Sequence, residues 1–299
     1  MLPIVDVLLS LAWRSLKAVQ PDSHSKKKGQ SNNKLTVIDS RTSKSYDIPI
    51  TDNTMRAIDF RHISTLGLTA SPLERYHAGL HVMDSGFQNT AVVESEITYI
   101  DGMKGSIQCR NHTLDDLIEN HDFEDVAFLL VWGHLPSQEE KLQFRLKLAD
   151  RANPPEEVVN TIKCFPRNTP YHLITLADVS AWAATDPTHI PIHMGKELYL
   201  GKMDAVDEGV LRTLAASVTV TALIHCHQRK RDFTPPDPNA SIVENILIMM
   251  GEVDQATKRP PLKMVRTLNK LWIVYADHEM TNSTAAAMHV GSTIADQMT

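Results

Sequence analysis

Apolar residues recur at steps of three and four along most of the chain after residue 136, which is the spacing of an amphipathic helix. Ser137 with Glu140 three residues later forms a capping-box pattern and marks the start of the first of these helices. Earlier, His112 and Thr113 precede a short helical segment, Leu114–Asn120, and an apolar stretch follows at 123–133. The pattern predicts successive helices over residues 138–150, 154–162, 169–183, 204–228, 240–252, 261–276 and 283–295.

The front of the chain instead favours short strands. Residues 35–39 and 45–50 flank a turn-like segment and predict one hairpin, and residues 97–100 and 106–109 predict a second hairpin around 101–105. Residues 65–80 show no clean period and are predicted to be irregular or mixed. The pattern therefore indicates a mainly α protein. We divide it into a flexible N-terminal extension (1–34), an N-terminal region with β-hairpins (35–110) and a helical domain (111–299).

Composition limits the class of protein. The chain has 299 residues with 42% hydrophobic and 22% charged residues, enough to bury a sizeable core. Its net charge of -6 and pI near 6.1 argue against nucleic-acid binding. Three widely spaced cysteines favour a reducing compartment over a disulfide framework.

The sequence also bears on location. It shows no apolar run that we take as long enough to span a membrane. Its opening lacks the features of a secretory signal and the repeated arginines of a mitochondrial presequence. We therefore expect an intracellular protein with no membrane partner, cytoplasmic rather than mitochondrial, although the sequence leaves the compartment unknown.

The strongest candidate site is the acid–imidazole–acid run Asp277–His278–Glu279. It lies where the predicted helix 261–276 stops and the predicted helix 283–295 starts. A helix N terminus offers unpaired N–H groups and positive potential, which suits an anionic ligand. Simple capping with a solvated histidine explains the same residues equally well, because short polar clusters are common at loop corners.

Other clusters of polar residues give weaker evidence for a functional site. On a regular helix His225 and His227 point about 200° apart, so they do not share one metal ion and we assign no metal site. Residues 229–231 are basic at a helix C terminus, where positive charge is favourable for the helix alone, although contact with an acidic substrate stays open. Glycine-rich phosphate loops and a GxSxG elbow are absent from the sequence.

Five segments together resemble citrate synthases, in order and in spacing, over a match running from about residue 35 to the end. The hairpin ahead of the helices is most similar to the bacterial type, and the nearest likeness is to fungal citrate synthase-like proteins, some of which make alkylcitrates. The segments are ESEITYIDGMKG (94–105), FEDVAFLLVWGHLPS (123–137), GKELYLGKMD (195–204), FTPP (233–236) and LWIVYADHEMTNST (271–284).

The resemblance implies an all-α large domain, a helical small domain and a homodimer. It also implies condensation of an acyl-CoA with oxaloacetate, with the acyl-CoA as co-substrate and no cofactor. By motif, His278 is the residue that contacts oxaloacetate, and Asp277 and Glu279 are expected to orient it or to shape the corner.

The chain departs from the family pattern after this corner. The family's catalytic residues, two histidines and an aspartate, are expected beyond residue 299, so no catalytic residue is assigned here and the small domain is expected to be largely missing. Three readings stay open: a truncated or misannotated form of an enzyme, an inactive remnant, and a partner that pairs with a complete synthase. The acyl group is not readable from the sequence.

Overall fold

The computed structural model describes residues 33–66, 69–85, 88–91, 95–189 and 202–279. Its contacts divide the chain into two units, one of Gln20–Glu94 and one of Met1–Val19 with Ser95–Thr299. Residues 1–32 of the predicted extension and the predicted helix 283–295 lie outside the described residues. The domain boundaries drawn from the sequence stay predictions.

The smaller unit begins with the first predicted hairpin, which is confirmed. Strand β1 (Lys34–Asp39) pairs antiparallel with β2 (Lys44–Pro49), with Lys34 opposite Pro49 and Asp39 opposite Lys44. A 3-10 helix, Ala57–His62, and helix α1, Pro72–His77, follow. Helix α1 falls inside the segment expected to be irregular or mixed. Its local signal is a capping box, because Ser71 and Glu74 bond to each other's backbone N–H groups.

The second hairpin opens the larger unit. Strands β3 (Thr98–Asp101) and β4 (Ser106–Cys109) pair antiparallel, and a two-residue strand β5 (His112–Thr113) adds to the β4 edge. The helices of this unit are α2 (Leu114–Asn120), α3 (Phe123–Trp132), α4 (Gln138–Arg151), α5 (Glu156–Cys164), α6 (Tyr171–Thr185), α7 (Met203–Arg229), α8 (Ile242–Met249) and α9 (Leu262–Val274). The prediction of a mainly α protein is confirmed.

Helix α7 is the centre of the larger unit, with α4, α5, α6 and α8 packed against it. Most of its residues are buried, as expected for a helix that is apolar on all sides. By length and composition α7 would suffice to cross a membrane, which corrects our reading that the sequence holds no such run. Because 83% of its apolar window is buried inside the fold, α7 occupies the position of a core helix.

Helix α8 ends three residues before its predicted end at 252. Gly251 has a φ of 72°, and the N–H groups of Gly251 and Glu252 donate to the carbonyls of Ile248 and Leu247. These two bonds form the glycine C-cap that closes many helices. Gly251, two residues after Met249, therefore marks the end of the helix. The apolar pattern alone did not indicate this end.

Candidate functional site

Helix α9 brings the Asp277–His278–Glu279 corner to its place. Trp272 and Ile273 in its last turn are buried, and the ring of Trp272 lies edge-on to that of Phe123 with 4.9 Å between centroids. The side chain of Asn269 also accepts the backbone N–H of Phe123 at 3.0 Å. These contacts fix the end of α9 against α3, so the corner extends from a rigid part of the core.

Glu279 binds the second hairpin. Its carboxylate accepts a hydrogen bond from the backbone N–H of Ile100 in β3. Its own φ is 62°, in the left-handed region that a residue with a side chain rarely adopts. The chain therefore turns sharply at Glu279, and the charge-assisted bond to Ile100 helps to hold that turn.

Asp277 faces the same hairpin from a half-buried position. Burial raises the pKa of its carboxyl group, and three donors oppose the rise: the hydroxyl of Thr98 and the backbone N–H groups of His278 and Glu279. The carboxylate of Asp277 also acts on two neighbours. Burial raises the pKa of Cys109, and the negative charge of Asp277 raises that pKa further. Burial lowers the pKa of Arg110, whereas the carboxylates of Glu96 and Asp277 oppose that shift.

His278 is the exposed member of the corner. Its Nε2 lies 3.3 Å from the carbonyl oxygen of Val274, the last residue of α9, and its ring lies 5.7 Å from that of Tyr275. The carbonyls of a helix's last turn lack partners within the helix, and a ring N–H of His278 satisfies one of them when Nε2 carries the hydrogen. Nδ1 is then the ring nitrogen left for a ligand.

The structure thus places the two acids of the corner against the hairpin and the imidazole at the surface. Whether Asp277 and Glu279 orient His278 or only shape the backbone stays a prediction. Sequence reasoning missed the role of β3, where the N–H of Ile100 donates to Glu279 and the hydroxyl of Thr98 opposes the rise in the pKa of Asp277. Its one signal was that the ITYIDG stretch belongs to the same set of family-like segments as the corner.

The histidines of α7 are placed apart. His225 Nε2 lies 3.6 Å from a carboxylate oxygen of Glu252, whereas His227 Nε2 contacts the carbonyl oxygen of Phe165 at 2.9 Å. Burial lowers the pKa of His225, and the carboxylate of Glu252 opposes that shift. In the part of the chain that the structure describes, no group of three histidine, cysteine, aspartate or glutamate side chains could hold a metal ion.

The basic residues after α7 serve the end of that helix. Lys230 is the C-cap residue in the left-handed conformation, and the backbone N–H of Arg231 donates to the carbonyl of Cys226 at 2.9 Å. The guanidinium group of Arg231 pairs with Glu252 at 2.5 Å. The backbone of this segment caps α7, and the electrostatic role expected of its basic side chains stays a prediction.

The structure defines a class of mainly α-helical protein that has a histidine-bearing corner at the end of one core helix. Comparison with known proteins identifies its family. The model of the citrate synthase C-terminal domain matches residues 86–299, and the chain belongs to the citrate synthase family. The structure also resembles the crystal structure of citrate synthase from Pyrobaculum aerophilum, with a TM-score of 0.63 over 79% of this chain and 55% of that one. At 22% identity this likeness concerns the fold.

Two curated relatives are closer in sequence. The citrate synthase-like protein oryE of Aspergillus oryzae is 40% identical over 262 residues, which are 88% of this chain and 59% of oryE. The alkylcitrate synthase phiJ of a fungal species is 34% identical over 269 residues, which are 89% of this chain and 58% of phiJ. The chain therefore spans less than two thirds of the length of these relatives.

Other relatives are named as glyoxysomal or peroxisomal enzymes. The cytoplasmic location expected from the sequence stays a prediction.

Proposed function

We propose that the chain belongs to an acyltransferase that condenses an acyl-CoA with oxaloacetate to give citrate or an alkylcitrate. The observation that carries the proposal is the exposed imidazole of His278 on a corner that the bond from the Ile100 N–H to Glu279 joins to β3. The family supports the reaction class, and the printed name of phiJ supports an alkylcitrate product. The proposal includes a role for that product in fungal secondary metabolism.

His278 acts on the keto acid in this proposal. With a hydrogen on each ring nitrogen, Nε2 donates to the carbonyl of Val274 and Nδ1 donates to an oxygen of oxaloacetate, which is a dianion. The second bond holds the ketone of oxaloacetate toward the attacking carbon. Such a donor works best when it is already oriented before the substrate arrives. The bond from the Ile100 N–H to Glu279 and the half-buried position of Asp277 provide that orientation, because they restrain the chain on both sides of His278.

The reaction forms one carbon–carbon bond and releases CoA. A base removes a proton from the α-carbon of the acyl-CoA, and the resulting enolate attacks the ketone carbon of oxaloacetate, whose oxygen takes up a proton. Water then hydrolyses the thioester and frees the CoA thiol. Proton removal next to a thioester needs a placed base and an enolate stabiliser. We assign neither role to a described residue and place the keto-acid contact alone on this chain.

The experiment is oxaloacetate-dependent release of CoA thiol by the purified 299-residue chain, with acetyl-, propionyl- and longer acyl-CoAs. An enzyme that uses His278 releases thiol in the wild type and loses that release in His278→Ala. His172→Ala is the matched control, because His172 is an exposed histidine on α6. Release that survives His278→Ala would contradict the role given to this residue.

A second outcome identifies the alternative function. If the chain is folded and binds oxaloacetate but releases no thiol, it acts as an inactive homologue. We then expect it to pair with a complete synthase or with itself, since the proposal includes the homodimer of the family. Light scattering of the chain alone and mixed with a complete synthase measures both associations.

A further inference from the structure

The smaller unit contains a cleft of about 520 Å³ with a basic lining. We call it the basic cleft and define it by six of its lining residues: Lys44, Tyr46, Arg61, His62, Arg75 and Tyr76. Strand β2, the 3-10 helix and α1 each contribute two of them. The cleft is therefore built by three separate elements of one unit and not by one exposed loop.

Its charge is uncompensated. Lys44, Arg61 and Arg75 supply three positively charged side chains, and none of the residues that line the cleft is acidic. Within the described residues, none of these three cations forms an ion pair with an acid. This excess of positive charge stands out in a chain whose net charge is -6.

The nearby acids are occupied or face elsewhere. Asp39 is bound by Arg41 at 2.8 Å, and Asp47 is bound by Lys34 at 2.6 Å. The carboxylate of Glu74 accepts the backbone N–H of Ser71 at 2.8 Å, as part of the cap of α1. Asp59 lines a neighbouring hollow together with Asp47. The acids around the basic cleft thus leave its cations free to bind an external anion.

Three features prepare the cleft for an organic anion. The guanidinium carbon of Arg61 lies 5.5 Å from the ring centre of Tyr76, so a cation–π contact orients this arginine. Two arginines in one concave site can each bind a phosphate or a carboxylate through two parallel hydrogen bonds. The volume falls within the range of small-molecule sites, and it exceeds what an inorganic ion would fill.

We propose that the basic cleft binds a small organic anion with at least two negative charges, either a phosphate ester or a polycarboxylate. Positive side chains in a concave site concentrate such anions and orient their charged groups. The tyrosines Tyr46 and Tyr76 flank the cations and give the organic part of the ligand an apolar surface. This site belongs to the smaller unit and does not depend on the reaction proposed for the corner.

Isothermal titration calorimetry of the full chain tests the proposal with four probes: ADP, propane-1,2,3-tricarboxylate, inorganic phosphate and neutral adenosine. ADP binding identifies a phosphate ester as the ligand, and tricarboxylate binding identifies a polycarboxylate. We expect the dissociation constant of the probe that binds to rise about tenfold in Arg75→Gln and in Lys44→Gln, since each substitution removes one charge-assisted bond. Added NaCl should weaken binding as well.

Control variants distinguish binding at the basic cleft from binding elsewhere on the chain. Arg56→Gln makes the same change at an exposed arginine of the same unit outside the cleft, and it should bind like the wild type. Lys44 is exposed on β2, so Lys44→Gln tests the charge with little risk to the fold. His278→Ala should retain the binding, which keeps this result independent of the proposed reaction. Equal affinity in wild type, Arg75→Gln and Lys44→Gln, adenosine binding as tightly as ADP, or no anion binding to the folded chain would each overturn the proposal.

Discussion

The backbone N–H of Ile100 donates a hydrogen bond to the carboxylate of Glu279, a residue 179 positions further along the chain. This bond joins the second hairpin to the corner that carries His278. Since Glu279 also has a left-handed backbone, the corner combines local strain with a long-range restraint.

Removal of the Glu279 carboxylate should loosen the corner. We expect Glu279→Ala to lower the free energy of unfolding by about 1–3 kcal/mol, because it leaves the Ile100 N–H without its acceptor. Hydrogen exchange at the Ile100 amide, measured by NMR, should become faster. Glu279→Gln retains an oxygen acceptor and should keep most of the protection. Unchanged exchange in Glu279→Ala would show that the bond does not hold the hairpin.

Removal of one partner of the ion pair between Glu124 and Arg145 should destabilise the fold. Glu124 is 1% exposed, its carboxylate lies 2.7 Å from Arg145 Nη2, and it accepts the backbone N–H of Ile242 at 2.8 Å. Arg145→Met leaves a buried carboxylate unpaired and should lower the free energy of unfolding by about 3–5 kcal/mol. Urea denaturation measures the change.

A double variant gives the control for this pair. Glu124→Gln combined with Arg145→Met removes both charges while an amide oxygen remains for the Ile242 N–H. It should therefore be more stable than Arg145→Met alone. If the double variant is the less stable of the two, the unpaired charge is not the source of the loss.

Asp178 should make stability depend on pH. Its side chain is 0% exposed, and neither carboxyl oxygen has a hydrogen-bond partner in the described part of the chain. Burial raises its pKa from the ordinary 3.8 to about 7. Tyr171 on the same helix titrates above this range because burial raises its pKa.

The sign of the effect follows from the proton count. Between about pH 4 and pH 7 the folded chain holds a proton on Asp178 that the unfolded chain has released. Folding stability therefore falls as pH rises through this interval and is level above it. Asp178→Asn should flatten the fall and be the more stable form at pH 8. Asp150→Asn is the control, since the Asp150 side chain is 82% exposed. Parallel pH profiles for wild type and Asp178→Asn would refute the assignment.

Gly79 should tolerate no larger residue. A methyl group added there would lie 1.9 Å from the carbonyl oxygen of Arg61, and a backbone atom has little room to move. We expect Gly79→Ala to destabilise the smaller unit by about 1–3 kcal/mol. Limited proteolysis of the full chain detects the loss of stability as faster cleavage within residues 33–94. Gly102→Ala is the matched control, because an added methyl group there meets nothing within 4 Å.

Much of the fold was predictable because its signals are local. Both hairpins and the larger helices came from residue spacing, and Ser137 with Glu140 marked the start of α4 correctly. Helix α1 carried the same kind of signal in Ser71 and Glu74, but its six residues are too few to show an apolar period. Short elements are thus found by their caps and not by their periodicity.

The candidate site was predictable only in part. The acids and the histidine stand next to one another in the sequence, so the corner could be located. Its restraint by Ile100 could not be predicted, because a backbone N–H carries no residue type and pairing across 179 positions depends on the whole fold. The burial of Asp178 was equally unreadable, since an aspartate in an apolar helix usually indicates a solvated side.

The most direct test of the central claim is calorimetric titration of oxaloacetate into the wild-type chain, His278→Ala and His172→Ala. We expect oxaloacetate to bind wild type and His172→Ala, and its affinity to fall about tenfold or more in His278→Ala, because a charge-assisted hydrogen bond to a dianion is removed. Equal affinity of the three proteins would contradict the assignment of the keto-acid site to the Asp277–His278–Glu279 corner.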